Sequence, residues 1–247
     1  LAAFVGSAAA FAAERTLSSY VPANAWLVVS YDGAHPGFAD TPLARFLAEP
    51  EVQDALKQWQ PLLDKAFAEA NRDAGFDATP VLRAASGCEM ALAFLAPLPE
   101  NDHPAGLFLA RVGAGEAAAR QHAEKLMKLM VGKAKPDTVR QVQIGELQAT
   151  CFIEDGGAPS AFAFDGQFFV HAEGEELLRR ALDPAAPKMA ARPGEERAVF
   201  RIRYDHPAML EAFGAKVGPE AKRVLDAIGV GGVAAAELSL LPRGKRL

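Results

Sequence analysis

The sequence is poor in the residues that most often announce chemistry. It has two cysteines, Cys88 and Cys151, in 247 residues, too few for a disulfide-dense scaffold or a four-cysteine zinc site. Its five histidines are His35, His103, His122, His171 and His206. No His-x3-His, His-Glu-x2-His or Cys-x2-Cys spacing exists, so no metal site is visible locally. The Gly-x-Ser-x-Gly elbow of serine hydrolases is missing too. Positive charge is not in excess: Lys and Arg number 26 against 31 Asp and Glu, a net charge of −5. A nucleic-acid or anionic-membrane partner therefore has no electrostatic support. Apolar runs are short, and none reaches the roughly 20 residues that a membrane-spanning helix needs, so no integral membrane segment is expected.

What is present is enough for a core. Half of the residues are hydrophobic and 23% are charged, a composition that excludes a mostly disordered chain. Leu1–Ala12 is apolar and rich in small residues, and charge begins at Glu14-Arg15. Ala10-Phe11-Ala12 fits the small-x-small pattern of a cleavage site, so residues 1–12 read as the remnant of a signal peptide and the protein as extracytoplasmic. At the other end, Val233–Leu241 reads as a strand with nothing after it to pair with, which predicts a chain cut short there.

Between the ends, the pattern predicts alternating strands and helices. Ala25–Tyr31 is a β-rich apolar run. Thr41-Pro42 is a hydroxyl cap followed by proline at the first helical position. Val52, Leu56, Trp59, Leu63 and Phe67 keep helical spacing, and a further short helix is expected over Ala78–Ala85. Cys88–Leu95 and Gly106–Val112 alternate with period two around a Pro97–Pro104 loop. A helix over Glu116–Val131 is followed by strands at Val139–Ile144, Leu147–Glu154, Ser160–Phe164 and Gly166–Ala172. Asp165-Gly166 is the sharpest hairpin signal in the chain. A short helix at Glu175–Leu182, a proline-rich linker, a strand at Arg197–Tyr204 and a helix from Pro207 complete the order. Hairpins dominate, so the fold class expected is α+β: a largely antiparallel sheet with helices packed on one face.

One internal echo stands out. Trp26–Asp32 followed by His35-Pro36 resembles Val199–Asp205 followed by His206-Pro207. Each leads through a helix and a glycine turn to an alanine-rich strand, Gly87–Leu95 in one case and Gly229–Leu241 in the other. This predicts two similar units about 170 residues apart: a first unit over residues 20–183, a linker over 184–196, and the truncated start of a second over 197–247.

Candidate chemistry is sparse. Asp32 with His35, and Asp205 with His206, would form acid–imidazole pairs if the two units brought them together. The plainer reading makes each Asp a helix or turn cap and each histidine a partly exposed turn residue. Gly113-Ala-Gly115-Glu-Ala-Ala118 looks superficially like a dinucleotide fingerprint. However, Glu116 sits where a pyrophosphate needs a positive helix end, and the preceding strand belongs to a hairpin. No cofactor is expected. Cys88 and Cys151 share parity with core-facing residues and read either as inert thiols or as a disulfide between neighbouring strands. Arg111, Gln141, Gln143, His171, Arg201 and Arg203 stand opposite the apolar alternation, which predicts one open polar sheet face, either simply solvated or a surface for a ligand or partner.

Val21-Pro22-Ala23-Asn24-Ala25 and Thr41-Pro42-Leu43-Ala44-Arg45-Phe46-Leu47, with the strand beginning at Gly87-Cys88-Glu89-Met90, resemble a class of uncharacterised bacterial secreted proteins. Such proteins open with a Val-Pro-Ala-(Asp/Asn)-Ala turn, a strand and a Thr-Pro-Leu helix. The resemblance implies an extracytoplasmic α+β protein built of several units and supplies no catalytic residues. The function expected is a non-enzymatic binding or structural role with a protein or cell-envelope partner. Two alternatives are an enzyme with its site between the units and a carrier of an apolar ligand near Trp59, Phe67, Phe94 and Phe162.

Overall fold

The computed structural model of the chain describes residues 15–55, 57–59, 61, 65, 88–98, 103–112, 117–153, 159–190, 198–213, 223 and 235–242. Outside these lie the predicted signal remnant, the helix at 78–85, Phe67, the glycines at 113 and 115, and most of the second half of the predicted linker.

Among the described residues, nine strands form one open antiparallel sheet. They are β1 (Leu27–Asp32), β2 (Glu89–Leu95), β3 (Ala105–Arg111), β4 (Arg140–Ile144), β5 (Leu147–Ile153), β6 (Pro159–Asp165), β7 (Phe168–Ala172), β8 (Phe200–Asp205) and β9 (Ala235–Leu240). Their order across the sheet is β4-β5-β6-β7-β3-β2-β1-β8-β9. The helices with bounds among the described residues include α1 (Pro42–Leu47), α2 (Ala117–Lys133), α3 (Glu175–Leu182) and α4 (His206–Phe213), and residues 50–55 and 57–59, in the stretch where helical spacing is predicted, are helical as well. The α+β class and the antiparallel sheet are as the pattern predicts.

Local chemistry accounts for most of the turns. The β4–β5 and β6–β7 hairpins close with the two-residue loops Gly145-Glu146 and Gly166-Gln167. Gly145 and Gly166 have φ of 57° and 60°, the left-handed conformation that a II′ turn requires at its first central position and that glycine adopts without a Cβ clash. The α1 cap is as expected: Thr41 Oγ1 accepts a hydrogen bond from the Ala44 amide at 3.1 Å, and Pro42 fills the first turn. After β3 the chain crosses over through α2 to the far edge of the sheet. It then meanders back through β4, β5 and β6 until β7 pairs with β3.

The sheet is covered by helices on both faces, not on one. On the first face, Leu177, Leu178 and Ala181 of α3 join Val170, Ala172, Leu107 and Ala163 in the main core, which Leu17, Tyr20 and Val21 extend from the N-terminal side. On the opposite face, Ala123, Met127 and Met130 of α2 meet Phe169, Ala110, Phe108 and Phe164. The expectation of a single covered face fails because β7, Phe-Phe-Val-His-Ala, is buried on both sides. A strand of that kind needs two layers of cover and does not alternate cleanly.

The proline-rich stretch after α3 is tied down where it can be described. Lys188 forms a bridge with Pro22, the Met189 amide donates to the Val21 carbonyl at 2.8 Å, and the Ala23 amide donates to the Pro187 carbonyl at 3.0 Å.

Candidate functional site

The two echo strands, β1 and β8, are neighbours. They pair antiparallel, with Leu27 opposite Tyr204, Val29 opposite Ile202 and Tyr31 opposite Phe200. This pairing decides where the acid–imidazole candidates go. Asp32 ends β1 beside Val199, whose carbonyl accepts from its amide at 2.8 Å, and Asp205 ends β8 beside Trp26, whose carbonyl accepts from its amide at 2.8 Å. At about 3.3 Å per residue, the two aspartates lie roughly 20 Å apart at opposite ends of the strand pair.

Each member is instead occupied locally. Asp32 Oδ1 accepts from the Ala34 amide at 3.1 Å, and His35 Nδ1 accepts from the Gly37 amide at 3.0 Å. Asp205 Oδ1 accepts from the Ala208 amide at 3.0 Å, which caps α4. The expectation of partly exposed turn histidines holds for His35 but not for His206, which is 3% exposed. Its Nδ1 shares a 2.8 Å hydrogen bond with the Tyr204 hydroxyl, which holds the ring against β8. Burial, with the Asp205 charge adding to it, pushes the Tyr204 phenol up from its ordinary value.

The six residues expected on one polar face do not share a face. Register places Arg111, Arg201 and Arg203 on the α3 face, with Leu107, Leu109 and Val28. Gln141, Gln143 and His171 belong to the α2 face, with Thr150, Phe162 and Phe108. Parity counted strand by strand cannot relate faces across a sheet until the register is known. Nor are the three arginines an open patch. Arg201 is 7% exposed, with its Nε 3.3 Å from Glu237 Oε1 on β9, and Arg111 Nε lies 3.1 Å from Glu89 Oε2. Arg203 donates to the Ala190 carbonyl at 3.3 Å.

Cys88 and Cys151 are both buried, and no disulfide joins them. The disulfide reading fails on sidedness, since Cys88 belongs to the core beneath α2 and Cys151 to the core beneath α3. Burial, with Glu175 adding to it, pushes the Cys151 thiol up, away from the thiolate form that reactivity requires.

A groove of about 340 Å³ lies between the N-terminal segment and the end of α3, lined by Arg15, Tyr20, Leu182, Lys188 and Met189 among others. Its cations are engaged. Arg15 pairs with Asp165, and Lys188 Nζ donates to the carbonyls of Arg180 and Ala181, closing the C-terminus of α3. The Tyr20 phenol, which donates to Asp165 at 3.0 Å, is pushed up to about 12 chiefly by burial. Among the described residues, no group of three His, Cys, Asp or Glu side chains could hold a metal ion.

The feature that sequence reasoning missed is a single row of side chains crossing all nine strands on the α2 face. It runs Gln141, Thr150, Phe162, His171, Phe108, Leu92, Val29, Ile202, Leu238, each paired with the next. Its last five members are apolar, and two of them remain largely open: Leu92 is 44% exposed and Leu238 is 64% exposed. The signal was present in the echo, because Leu92 and Leu238 occupy matching places in the two alanine-rich strands. No protein-family model, curated protein or solved structure matches the chain, so the reading of this surface rests on its own geometry.

Proposed function

We propose that this protein is a non-enzymatic extracytoplasmic binding module, and that the apolar end of the cross-strand row is its contact surface for a protein or cell-envelope partner. The observation that supports this is the run Phe108, Leu92, Val29, Ile202, Leu238 over five adjacent strands. At about 4.8 Å between strands, it makes a stripe roughly 19 Å long. Exposed apolar stripes on a sheet mark interaction sites more often than solvated surface. The separation of Asp32 and His35 from Asp205 and His206 favours binding over an enzyme between two units. The carrier reading loses support at Phe162, which packs against Phe164 and Phe169 at ring distances of 6.4 and 6.1 Å.

The binding surface is also where a duplicated unit would place its join. Aligning Tyr31-Asp32 with Tyr204-Asp205 makes the β1–β2 pairing and the β8–β9 pairing the same over six rungs, from Asp32–Glu89 and Asp205–Ala235 to Leu27–Phe94 and Phe200–Leu240. In that alignment Val29 and Ile202 are equivalent and face each other, as two copies related by a local twofold would require.

Two experiments test the reading. Alkaline phosphatase fused after Ala55 should be active in the producing cell if the chain is exported, and inactivity of a stably produced fusion counts against export. A photo-crosslinking phenylalanine at position 92 should give a discrete adduct in the producing cell, while one at the exposed Gln143 on the same face should not. Equal labelling at both positions, or none at 92, would remove the binding surface.

A further inference from the structure

The groove beside α3 is built from two irregular segments. The first contains a turn of 3-10 helix, Leu17–Tyr20, which buries Leu17, Ser18 and Tyr20 and leaves Ser19 exposed. The second follows α3 over residues 183–189, where Pro184 and Pro187 keep the helix from continuing. The volume between them and the end of α3, about 340 Å³, falls in the range of small-ligand clefts, roughly 300–1,000 Å³. Its walls are set without a ligand. The two segments are tied together by the bonds from Met189 to Val21 and from Ala23 to Pro187. Tyr20 is buried and held by Asp165, and Lys188 Nζ is held by the Arg180 and Ala181 carbonyls. A site fixed in this way needs little ordering on binding.

The lining is an apolar wall with few polar points. Leu182 and Met189 supply the wall, packed against the main core. Among the described residues, the lining carries Arg15 and Lys188 against a single acid, Asp183. Arg15 is engaged by Asp165, and Asp183 Oδ1 accepts from the Ala185 amide at 2.8 Å. Lys188 keeps capacity. An ammonium has three N–H donors, and the two helix carbonyls take two of them. In the same lining, Thr16 and Ser18 share one hydrogen bond at 2.8 Å, which uses one of their two hydroxyl protons and leaves the other. Burial pushes the Lys188 amine down from its ordinary value, so a negative charge brought next to it is favourable.

We infer that this groove binds a small organic carboxylate, with its anion on Lys188 Nζ and the Thr16–Ser18 hydroxyl pair and its apolar body along Leu182 and Met189. The remaining N–H and O–H donors select an anion over a cation. One amine and one hydroxyl match the two oxygens of a carboxylate. The apolar wall selects a ligand with a carbon body over an inorganic ion. The groove lies at the end of α3, on the sheet face opposite the apolar stripe, and the inference does not rest on any function of the stripe.

The test is a titration of the isotopically labelled full chain with octanoate, followed by NMR, beside acetate, octanol and octylammonium. Octanoate should give saturable shifts centred on residues 18–20, 181–183, 188 and 189, and each of the other three should bind at least roughly tenfold more weakly. Bound octanoate should also raise the titration midpoint of Lys188 Nζ. Lys188→Gln should weaken octanoate at least roughly tenfold. Because that change also loosens the end of α3, Ser19→Trp gives a second measure: an indole at this exposed rim position fills the groove and should abolish binding without changing the circular dichroism spectrum. Absence of saturable shifts at the groove overturns the site, as do shifts centred on Leu92 and the stripe. Octanol or octylammonium binding as tightly as octanoate overturns the carboxylate. Unchanged octanoate affinity in folded Lys188→Gln or Ser19→Trp overturns the assignment to these residues.

Discussion

The two ends of the cross-strand row belong to differently built halves of one sheet. Over β3, β7 and β6, both faces are covered. Leu107, Leu109, Leu178 and Val170 are fully buried, and Phe169 is 3% exposed beneath α2. Over β1, β8 and β9 the same row is aliphatic but only partly covered, and it ends on Leu238, 64% exposed. Matching sequence patterns thus reach different burial, because burial depends on what the chain stacks on each face. The first half is where stability is concentrated, and the second leaves apolar surface exposed, the surface we propose as a contact for a partner.

The comparison is broken most strongly at Leu178. This residue of α3 is 0% exposed, and Leu178→Ala removes a side chain whose space the sheet cannot fill. A loss of about 2–5 kcal/mol is expected, read as a fall in the denaturant midpoint. Leu238→Ala should change the stability of the isolated chain by less than about 0.5 kcal/mol. Comparable losses at the two sites would mean that the halves are equally packed and that the contrast is wrong.

Much of the covered half was legible in the sequence. Asp165-Gly166 marked its β6–β7 hairpin, and in the other half Thr41-Pro42 marked the start of α1. What was not legible depended on register. Arg111 and His171 both stand out as polar residues in apolar strands, yet they lie on opposite faces. Pairing Phe108 with His171, and so Arg111 with Phe168, is a tertiary fact that period-two counting does not contain. The same holds for Arg201. Its partner Glu237 is 36 residues further along the chain and meets it only because β9 folds back on β8.

That pair gives the next largest effect, and it lies in the less covered half. Arg201 is buried and hydrogen-bonded to Ser239 Oγ at 3.3 Å besides its contact with Glu237. Arg201→Ala leaves these groups without their cation, and a loss of about 1.5–3 kcal/mol is expected. In a double-mutant cycle with Glu237→Gln, the two changes should be strongly non-additive. Simple additivity would show that Arg201 contributes through packing of its stem alone.

The two echo aspartates sharpen the comparison further. Asp205 caps a helix and Asp32 closes a turn, so Asp205→Ala should cost about 0.5–2 kcal/mol and Asp32→Ala less. Thermal unfolding of the two variants decides this. If they lose equal stability, the turn after β1 is as demanding as the start of α4 and the two motifs are energetically interchangeable.

The smallest effect concerns Glu175, which ties α3 to the edge of the covered half. Its carboxylate lies 2.6 Å from Arg179 on the same helix and 2.6 Å from Arg140 on β4. The hydrogen bond from Arg179, followed by the charge of Arg140, holds its pKa below the ordinary 4.5. A carboxylate lowered on folding stabilises the native state above its unfolded pKa, and that contribution fades as the pH falls through the folded value. Wild-type protein should therefore exceed Glu175→Gln in stability at neutral pH by less than about 1 kcal/mol, since both arginines are largely exposed. The gap should shrink steadily once the pH drops below 4.5. Salt should shrink it too, because an ion pair at the surface is screened. A difference that persists undiminished in acid would assign the role of Glu175 to the packing of its methylenes over Cys151, whose thiol lies 4.0 Å from the carboxylate. In that case the edge at β4 would be held by contact, as the core beneath α3 is, and charge would have no part in what distinguishes it from β9.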